Sequence, residues 1–435
     1  MAQHVSVGID FGTTNTVVAV ARAGEPVQAL PFAQAQGLSD VFRSVLAFEN
    51  VTARGTARVV AHAGEAAIRA FLETAFELRF IQSFKSHAAS RLFEDTRVFS
   101  RRWRFEDLLA EFLRLAMESA GDAFPERVDT IVAGRPVAFV GASPDEALAT
   151  RRYDAGYRQA GLARPAYVYE PVGAAFWHAQ GLTRDATILV GDFGGGTSDF
   201  SLVRFERRAG RLHARPIGFA GLGIAGDAID YRIIDAVISP ALGKGGSYRS
   251  MGKILPMPVH HYGAFAKWHQ LALMRSRETI AELEELERLA LEPEKIRAFL
   301  DIVRNDRGFA IYRAVSDAKI ALSSVEEARF RLDLGALSID RTIRRGAFEA
   351  WIADDLARMD ATVAGLLARE GVLARDIDTV FLTGGTSHVP AVRALFERRF
   401  GADRIAAGDP FQSVAYGLAL VGQEADVGPW LARAA

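Results

Sequence analysis

The stretch VGDFGGGTSDFSLV, residues 190–203, has a counterpart near the start of the chain in VGIDFGTTNTVVAV, residues 7–20. Each carries Asp-Phe-Gly at the end of an apolar run, then small hydroxyl and glycine residues, then a second apolar run. Apolar runs on either side of such a turn predict a β-hairpin, and the glycines predict backbone of positive φ within it. Placing Asp10 on Asp192 sets an offset of 182 residues, at which Phe11 meets Phe193 and Gly12 meets Gly194 without a gap.

Two more pairs follow in the same order. VDTIVAGRPV (128–137) resembles IDTVFLTGGT (377–386), each a short apolar strand ending in glycine before a helical pattern. YEPVGAAFWHA (169–179) resembles GDPFQSVAYGLAL (408–420), each an acid-Pro pair opening an alanine-rich helix, where proline suits the first turn. Three features recurring in one order imply a duplicated domain. The expected fold class is α/β, two lobes with mixed sheets and a ligand held between the matching turns.

The chemistry of the turns points to the ligand. Gly and Thr loops expose backbone N–H groups and hydroxyl donors with little obstruction, which favours phosphate oxygens. An aspartate stands at each strand end, Asp10 and Asp192. Paired carboxylates beside phosphates suit Mg²⁺, which keeps most of its waters and is held through a few acidic groups.

Composition excludes several alternatives. At 435 residues the chain is long enough for two or three domains. A formal net charge of -1 leaves no broad basic footprint for nucleic acid. No apolar run reaches the ~20 residues of a membrane-spanning helix. The N-terminus MAQHVSVGID lacks the basic and apolar regions of a secretory signal, so a cytoplasmic location is expected. Cysteine is absent, which removes disulfides, thiolate metal sites and cysteine nucleophiles; codon bias explains this as readily as redox pressure. Among nine histidines His260-His261 form the only pair and, without ligand spacing, are read as loop residues.

Three motifs are set aside. Asp-Phe-Gly occurs in protein kinases, but no His-Arg-Asp loop or Val-Ala-Ile-Lys strand accompanies it. GLGIAG (221–226) satisfies a dinucleotide pattern without the surrounding βαβ unit, and is read as a turn opening the helix DAIDYRIIDAVI. Gly243-Lys244 and Gly252-Lys253 lack the other parts of a phosphate-binding P-loop.

GIDFGTTNTVVAV, GDFGGGTSDFSLV and VFLTGGTSHVPAVRALF resemble the first phosphate, second phosphate and adenosine motifs of the actin, sugar-kinase and 70-kDa heat-shock chaperone superfamily. The chain is most similar to the nucleotide-binding domain of the chaperones, in particular to their short bacterial YegD-like members, over residues 5 to about 422. The resemblance implies an actin-like ATPase fold with two ribonuclease-H-like lobes, helical insertions and a nucleotide cleft. Lobe I would span 1–185 with an inserted subdomain at about 37–105, and lobe II 186–407 with a helical subdomain at about 227–320. Residues 408–435 would return a helix to lobe I and end in a tail.

It also implies roles. Gly12, Thr13, Thr14 and Asn15 would bind phosphates from the first lobe, and Gly194, Gly195, Gly196 and Thr197 from the second. Asp10 and Asp192 would organise hydrated magnesium. Lys85, in FIQSFKSHAASRLF, would reach the γ-phosphate as a mobile point charge. Glu170 and Asp199, with Asp192 and Thr197 beside them, would orient the attacking water, as phosphoryl transfer requires. Pro136 matches the switch proline that couples lobe movement to nucleotide state.

Gly226, Lys319, Ser323, Gly384, Gly385 and Thr386 match adenosine-side positions. Ser316 and Ile320 stand where the chaperones usually have an acid and an arginine, and His388 where a second arginine often sandwiches the base. Stacking between Ile320 and His388 would lack the guanidinium contribution.

The expectation is ATP/ADP and Mg²⁺ binding with slow hydrolysis that opens and closes the lobes, by a monomer lacking a peptide-binding domain. A filament-forming ATPase and a small-molecule kinase are the alternatives. Between residues 227 and 330 a helical insertion is expected, with Pro293 breaking its run. Its acid-rich part, ETIAELEELERLALEPE, is read as a solvated helix face, with docking of a protein partner as the alternative.

Overall fold

The computed structural model describes residues 3–432 except 36, 54–55, 74–77, 142, 209–210, 306 and 408–411. Strand β1 (Val5–Phe11) sets Val5, Val7, Ile9 and Phe11 on one face and Ser6, Gly8 and Asp10 on the other, and most of it is buried, as befits a strand in the middle of a sheet rather than at an edge. It pairs antiparallel with β2 (Asn15–Arg22), and β2 antiparallel with β3 (Gln28–Ala29). On its other side β1 runs parallel to β4 (Thr130–Arg135), and β4 parallel to β5 (Ala166–Tyr169).

The second sheet repeats this order and sense. Its centre is β6 (Ala186–Phe193), buried at every residue, flanked by antiparallel β7 (Ser198–Arg208) and then β8 (Arg211–Leu222). On the other side β6 runs parallel to β9 (Thr379–Thr383), and β9 to β10 (Ile405–Ala407). Both hairpins read from the sequence are therefore present.

The shared phenylalanine is an anchor. Phe11 sits 5.3 Å from Phe84 and 5.4 Å from Phe112 between ring centroids, and Phe193 lies edge-on to Phe200 and Phe396 at 5.9 and 5.8 Å. Buried ring pairs of this kind add about 0.5–1.5 kcal/mol beyond their area. They fix the strand ends from which the two turns spring.

The helices Glu170–Ala179 and Ser413–Val421 cross at glycine. A Cβ on Gly417 would fall 1.6 Å from the carbonyl oxygen of Gly173, so only glycine permits this approach. Ser6 donates its hydroxyl to the Ala419 carbonyl at 2.7 Å, tying the second helix to β1. Pro171 stands in the first turn of the first helix as expected; the matching Asp409-Pro410 pair lies outside the described residues.

By packing, the chain divides into two units. One comprises Met1–Ala225, Met359–Ser387 and Val392–Ala435, and holds both large sheets; the other comprises Gly226–Arg358 and His388–Ala391. The second unit contains the helices Gly226–Ile233, His260–Phe265, Arg277–Leu289, Pro293–Arg304 and Gly308–Ser324.

Two expectations are corrected in it. The insertion is not wholly helical: Ser247–Ser250 and Lys253–Pro256 form an antiparallel hairpin. Its two-residue turn places Met251 and Gly252 at φ 48° and 73°, a mirror-type turn that few non-glycine residues signal in advance. His260 and His261 are helical rather than loop residues, because Tyr262 and Phe265 dock on Phe299 and hold that segment in place.

Candidate functional site

The two hairpin turns are closed alike. Gly12 N–H donates to the Asn15 carbonyl at 2.9 Å, and Gly194 N–H to the Thr197 carbonyl at 3.0 Å. None of Gly12, Gly194, Gly195 and Gly196 adopts positive φ, contrary to the sequence expectation. At Gly12 the requirement is space, since a Cβ there would lie 2.3 Å from the Asn15 carbonyl oxygen. Positive φ is found instead at Gly384 (85°), whose Cβ would also fall 2.2 Å from the Phe193 carbonyl oxygen.

The turns also approach each other. The Cβ position of Gly196 is 3.4 Å from the Thr13 hydroxyl oxygen and 3.9 Å from that of Ser86. Thr13 and Thr197 are both buried. The Asn15 side chain accepts a 2.9 Å hydrogen bond from Arg43, and Thr14 offers its carbonyl to Ser44 N–H at 2.9 Å, so the short strand Phe42–Arg43 braces the first turn.

Lys85 lies in the short turn Phe84–His87, seated by the packing of Phe84 on Phe11. Its Nζ donates to Glu170 Oε1 at 2.7 Å. Both side chains are buried. Burial pulls the ammonium down, but the carboxylate of Glu170, with Tyr153 and Asp10, outweighs it and holds Lys85 above its usual range. Lys85 is firmly cationic.

The aspartates go the other way. Burial, and then the Glu170 carboxylate, push Asp10 up to about 7 against the pull of Lys85. Burial, together with Glu170, Asp10 and Asp199, pushes Asp192 well above the usual carboxylate range. Asp199, at 1% exposure, is pushed up to about 7 by burial and Glu170. That rise occurs although Thr197 and the backbone amides of Val137 and Ala138 hydrogen-bond Asp199, the amides at 2.7 and 3.2 Å. The cluster holds more carboxylate than its cation can balance, and hard oxygen donors short of positive charge fit Mg²⁺.

Sequence reading missed the supports. Arg135 is buried, donates to Glu146 at 2.7 Å, and lies 5.0 Å from the Phe139 ring and 5.5 Å from the Tyr169 ring. It thus ties the segment after β4, whose amides hold Asp199, to the residue preceding Glu170. Gly221, dismissed within GLGIAG, gives the Asp199 carboxylate its room: a Cβ there would lie 2.7 Å from Oδ1. The hint available was the short Pro-Val-Ala run following an apolar strand.

Within the second unit, Lys319 pairs with buried Asp230 at 2.6 Å, and Ser323 donates back to the Lys319 carbonyl at 3.1 Å. Burial and Asp230 push Asp227 up to about 7 against the pull of Lys319. Gly226 opens the helix carrying these acids. Ser316 is half-buried on the Gly308–Ser324 helix, where Ile320 is 65% exposed, and His388 is exposed. In the first unit Gly384, Gly385 and Thr386 follow β9, with Gly384 and Thr386 buried and Gly385 exposed.

Comparison with protein families gives one decisive match, to the model described as Hsp70 protein, over residues 6–244 and 290–425. The chain belongs to the Hsp70 family. The Hsp70 match takes in both turns, Lys85, Glu170 and the Gly308–Ser324 helix. It omits residues 245–289, which include the hairpin, the His260–Phe265 helix and the Arg277–Leu289 helix. The mixed α/β content agrees with the actin-like fold of Hsp70 nucleotide-binding domains. No helix among the described residues is long and apolar enough to cross a membrane.

Proposed function

We propose that this Hsp70-family chain binds Mg²⁺-ATP at the two matched turns and hydrolyses it slowly, the nucleotide setting the relation between two ribonuclease-H-like lobes. Lobe I would be built on the β1 sheet and lobe II on the β6 sheet. The observation that carries the reading is the approach of Thr13 to Gly196 together with a buried Lys85–Glu170 pair whose carboxylate raises Asp10, Asp192 and Asp199.

Backbone amides of Thr13–Asn15 and Gly195–Thr197, with the Thr13 and Thr197 hydroxyls, supply donors for phosphate oxygens, while the Gly12 and Gly194 amides close the turns. Lys85 adds a fixed positive charge where negative charge develops, the arrangement that gives electrostatic stabilisation its weight. Glu170 orients Lys85 rather than reacting. Asp199, pushed up to about 7, is in part ionised at neutral pH, and its carboxylate is then basic enough to accept a proton from an attacking water. Magnesium, held through Asp10 and Asp192, would neutralise phosphate charge. Gly384, Gly385 and Thr386, in the same unit as the two turns, are the proposed nucleoside contacts, and the residues at 316, 320 and 388 depart from the usual chaperone pattern. A YegD-like, cytoplasmic and monomeric protein is the version of this reading that the sequence favours.

The test is calorimetry of the full chain with ATP, ADP and GTP, with and without Mg²⁺. Saturable, magnesium-dependent binding of ATP and ADP is expected, and single-turnover assays should show release of phosphate. Absence of binding by all three nucleotides at millimolar concentration would sink the proposal.

A further inference from the structure

The Hsp70 match leaves out residues 245–289, which carry the His260–Phe265 and Arg277–Leu289 helices. There His260, His261 and Glu282 bring one ligand atom each within 4.8 Å of one another. The histidine ring centroids are 3.9 Å apart, and His261 Nε2 lies 3.4 Å from Glu282 Oε2.

We propose that these three side chains form a binding site for a first-row divalent transition ion of the zinc class, linking the two helices. The donor set decides the class. Two imidazole nitrogens and one carboxylate suit Zn²⁺, Co²⁺ or Ni²⁺, whereas Mg²⁺ selects oxygen. Zinc bonds of about 2.0–2.2 Å require the donors to draw closer. The exposed His260 and Glu282 can do this by side-chain rotation, while buried His261 stays fixed.

The frame for the site is rigid. Tyr262 and Phe265 pack on Phe299 at 5.2 and 5.0 Å, the Tyr262 hydroxyl donates to the Leu242 carbonyl at 3.0 Å, and Leu283 and Leu286 bury the inner face of the second helix. Ligands borne on fixed helices lose little freedom when an ion binds. Glu278 and Glu285 lie four residues before and three after Glu282, on its side of the helix, and add negative potential around a cation. The acid-rich helix face thus gains a use besides solubility.

This site is independent of the nucleotide reading, so the test needs no ATP. The full chain, freed of metal by chelation, is titrated with Zn²⁺ by calorimetry and with Co²⁺ by visible absorption, in a constant excess of Mg²⁺ that occupies carboxylate-only sites. One zinc per chain and ligand-field bands of a nitrogen-containing cobalt site are expected, with a rise in the unfolding temperature. His260→Ala and Glu282→Gln alter exposed side chains, so the fold should persist by circular dichroism. Each should weaken zinc roughly 10-fold or more, by analogy with the 10–100-fold losses from disturbing metal-ligand shells. Zinc binding abolished by magnesium, or unchanged in both variants, would overturn the assignment, as would the absence of any saturable binding.

Discussion

Lys85 Nζ and Glu170 Oε1 stand 2.7 Å apart, with the two side chains exposed by only 9% and 8%. The pair joins the short turn Phe84–His87 to the first residue of the Glu170–Ala179 helix, and a buried pair so placed answers to the loss of either partner. Lys85→Ala leaves Glu170 buried and uncompensated, which costs about 3–5 kcal/mol in comparable cases. Loss of a charge that stabilises the transition state costs about 10²–10³ in rate. Both effects are expected: a lower midpoint in urea denaturation, and single-turnover hydrolysis reduced by that order in the variant that remains folded. Full hydrolysis by Lys85→Ala would remove Lys85 from the mechanism.

Much of this arrangement was legible in sequence because it rests on local pattern. Asp10-Phe11-Gly12 and Asp192-Phe193-Gly194 could be paired by offset, and the repeated strand order follows from that pairing. The supports were not legible, since Gly221 and the Val137 and Ala138 amides meet Asp199, and Arg135 braces that segment against Glu146, through tertiary packing that no spacing encodes. The glycines mark the limit of the propensity argument. Gly12 is required by a carbonyl oxygen 2.3 Å from its missing Cβ, not by positive φ. The His260-His261 pair was read as loop for a related reason: the docking of Tyr262 and Phe265 on Phe299, which holds that segment helical, is also a tertiary contact.

Magnesium binding should depend on pH. Asp10 and Asp199 are pushed up to about 7 and Asp192 is raised as well, so the folded cluster binds protons that a bound cation must displace. Magnesium-dependent nucleotide affinity should therefore fall as pH drops through 7, with proton release that changes the apparent enthalpy between buffers of different ionisation heat. Asp192→Asn should weaken the magnesium dependence. The sign for stability is opposite to that of a salt-bridged aspartate: raised carboxylates favour the folded state at low pH and lose that contribution as pH rises from about 4 through 7. In metal-free protein the cluster's contribution should thus decline over that window, and Asp192→Asn should flatten the decline in denaturation midpoints measured across it.

Asp199→Asn separates proton transfer from binding. The amide can still accept from Val137 and Ala138 through its oxygen, so the segment after β4 should stay in place, while the group that titrates near 7 is gone. The expected result is nucleotide affinity within a few fold of the parent, with single-turnover hydrolysis down by about 10²–10⁴, the usual worth of a positioned general base. The limb of the pH–rate profile near neutrality should vanish. A variant that kept both the rate and that limb would exclude Asp199 as the proton acceptor.

The crossing of the Glu170–Ala179 and Ser413–Val421 helices gives a test that involves no ligand chemistry. Gly417→Ala would place a methyl group 1.6 Å from the Gly173 carbonyl oxygen, and the atom met is backbone, so no side chain can swing aside. The helices must separate. Overpacking of this kind costs about 1–3 kcal/mol even where side chains can adjust, and backbone contact puts this site at the upper end or beyond. The denaturation midpoint should drop accordingly with little change in slope. Gly365→Ala is the control, because nothing lies within 4 Å of the Cβ it would add and its backbone is helical. That substitution should leave the midpoint unchanged or raise it slightly, since alanine exceeds glycine in helix propensity by about 1 kcal/mol. Equal midpoints for the two variants would mean that the helices do not meet at Gly173 and Gly417 in solution. The seating of Glu170, the first residue of one of them, would then need another explanation.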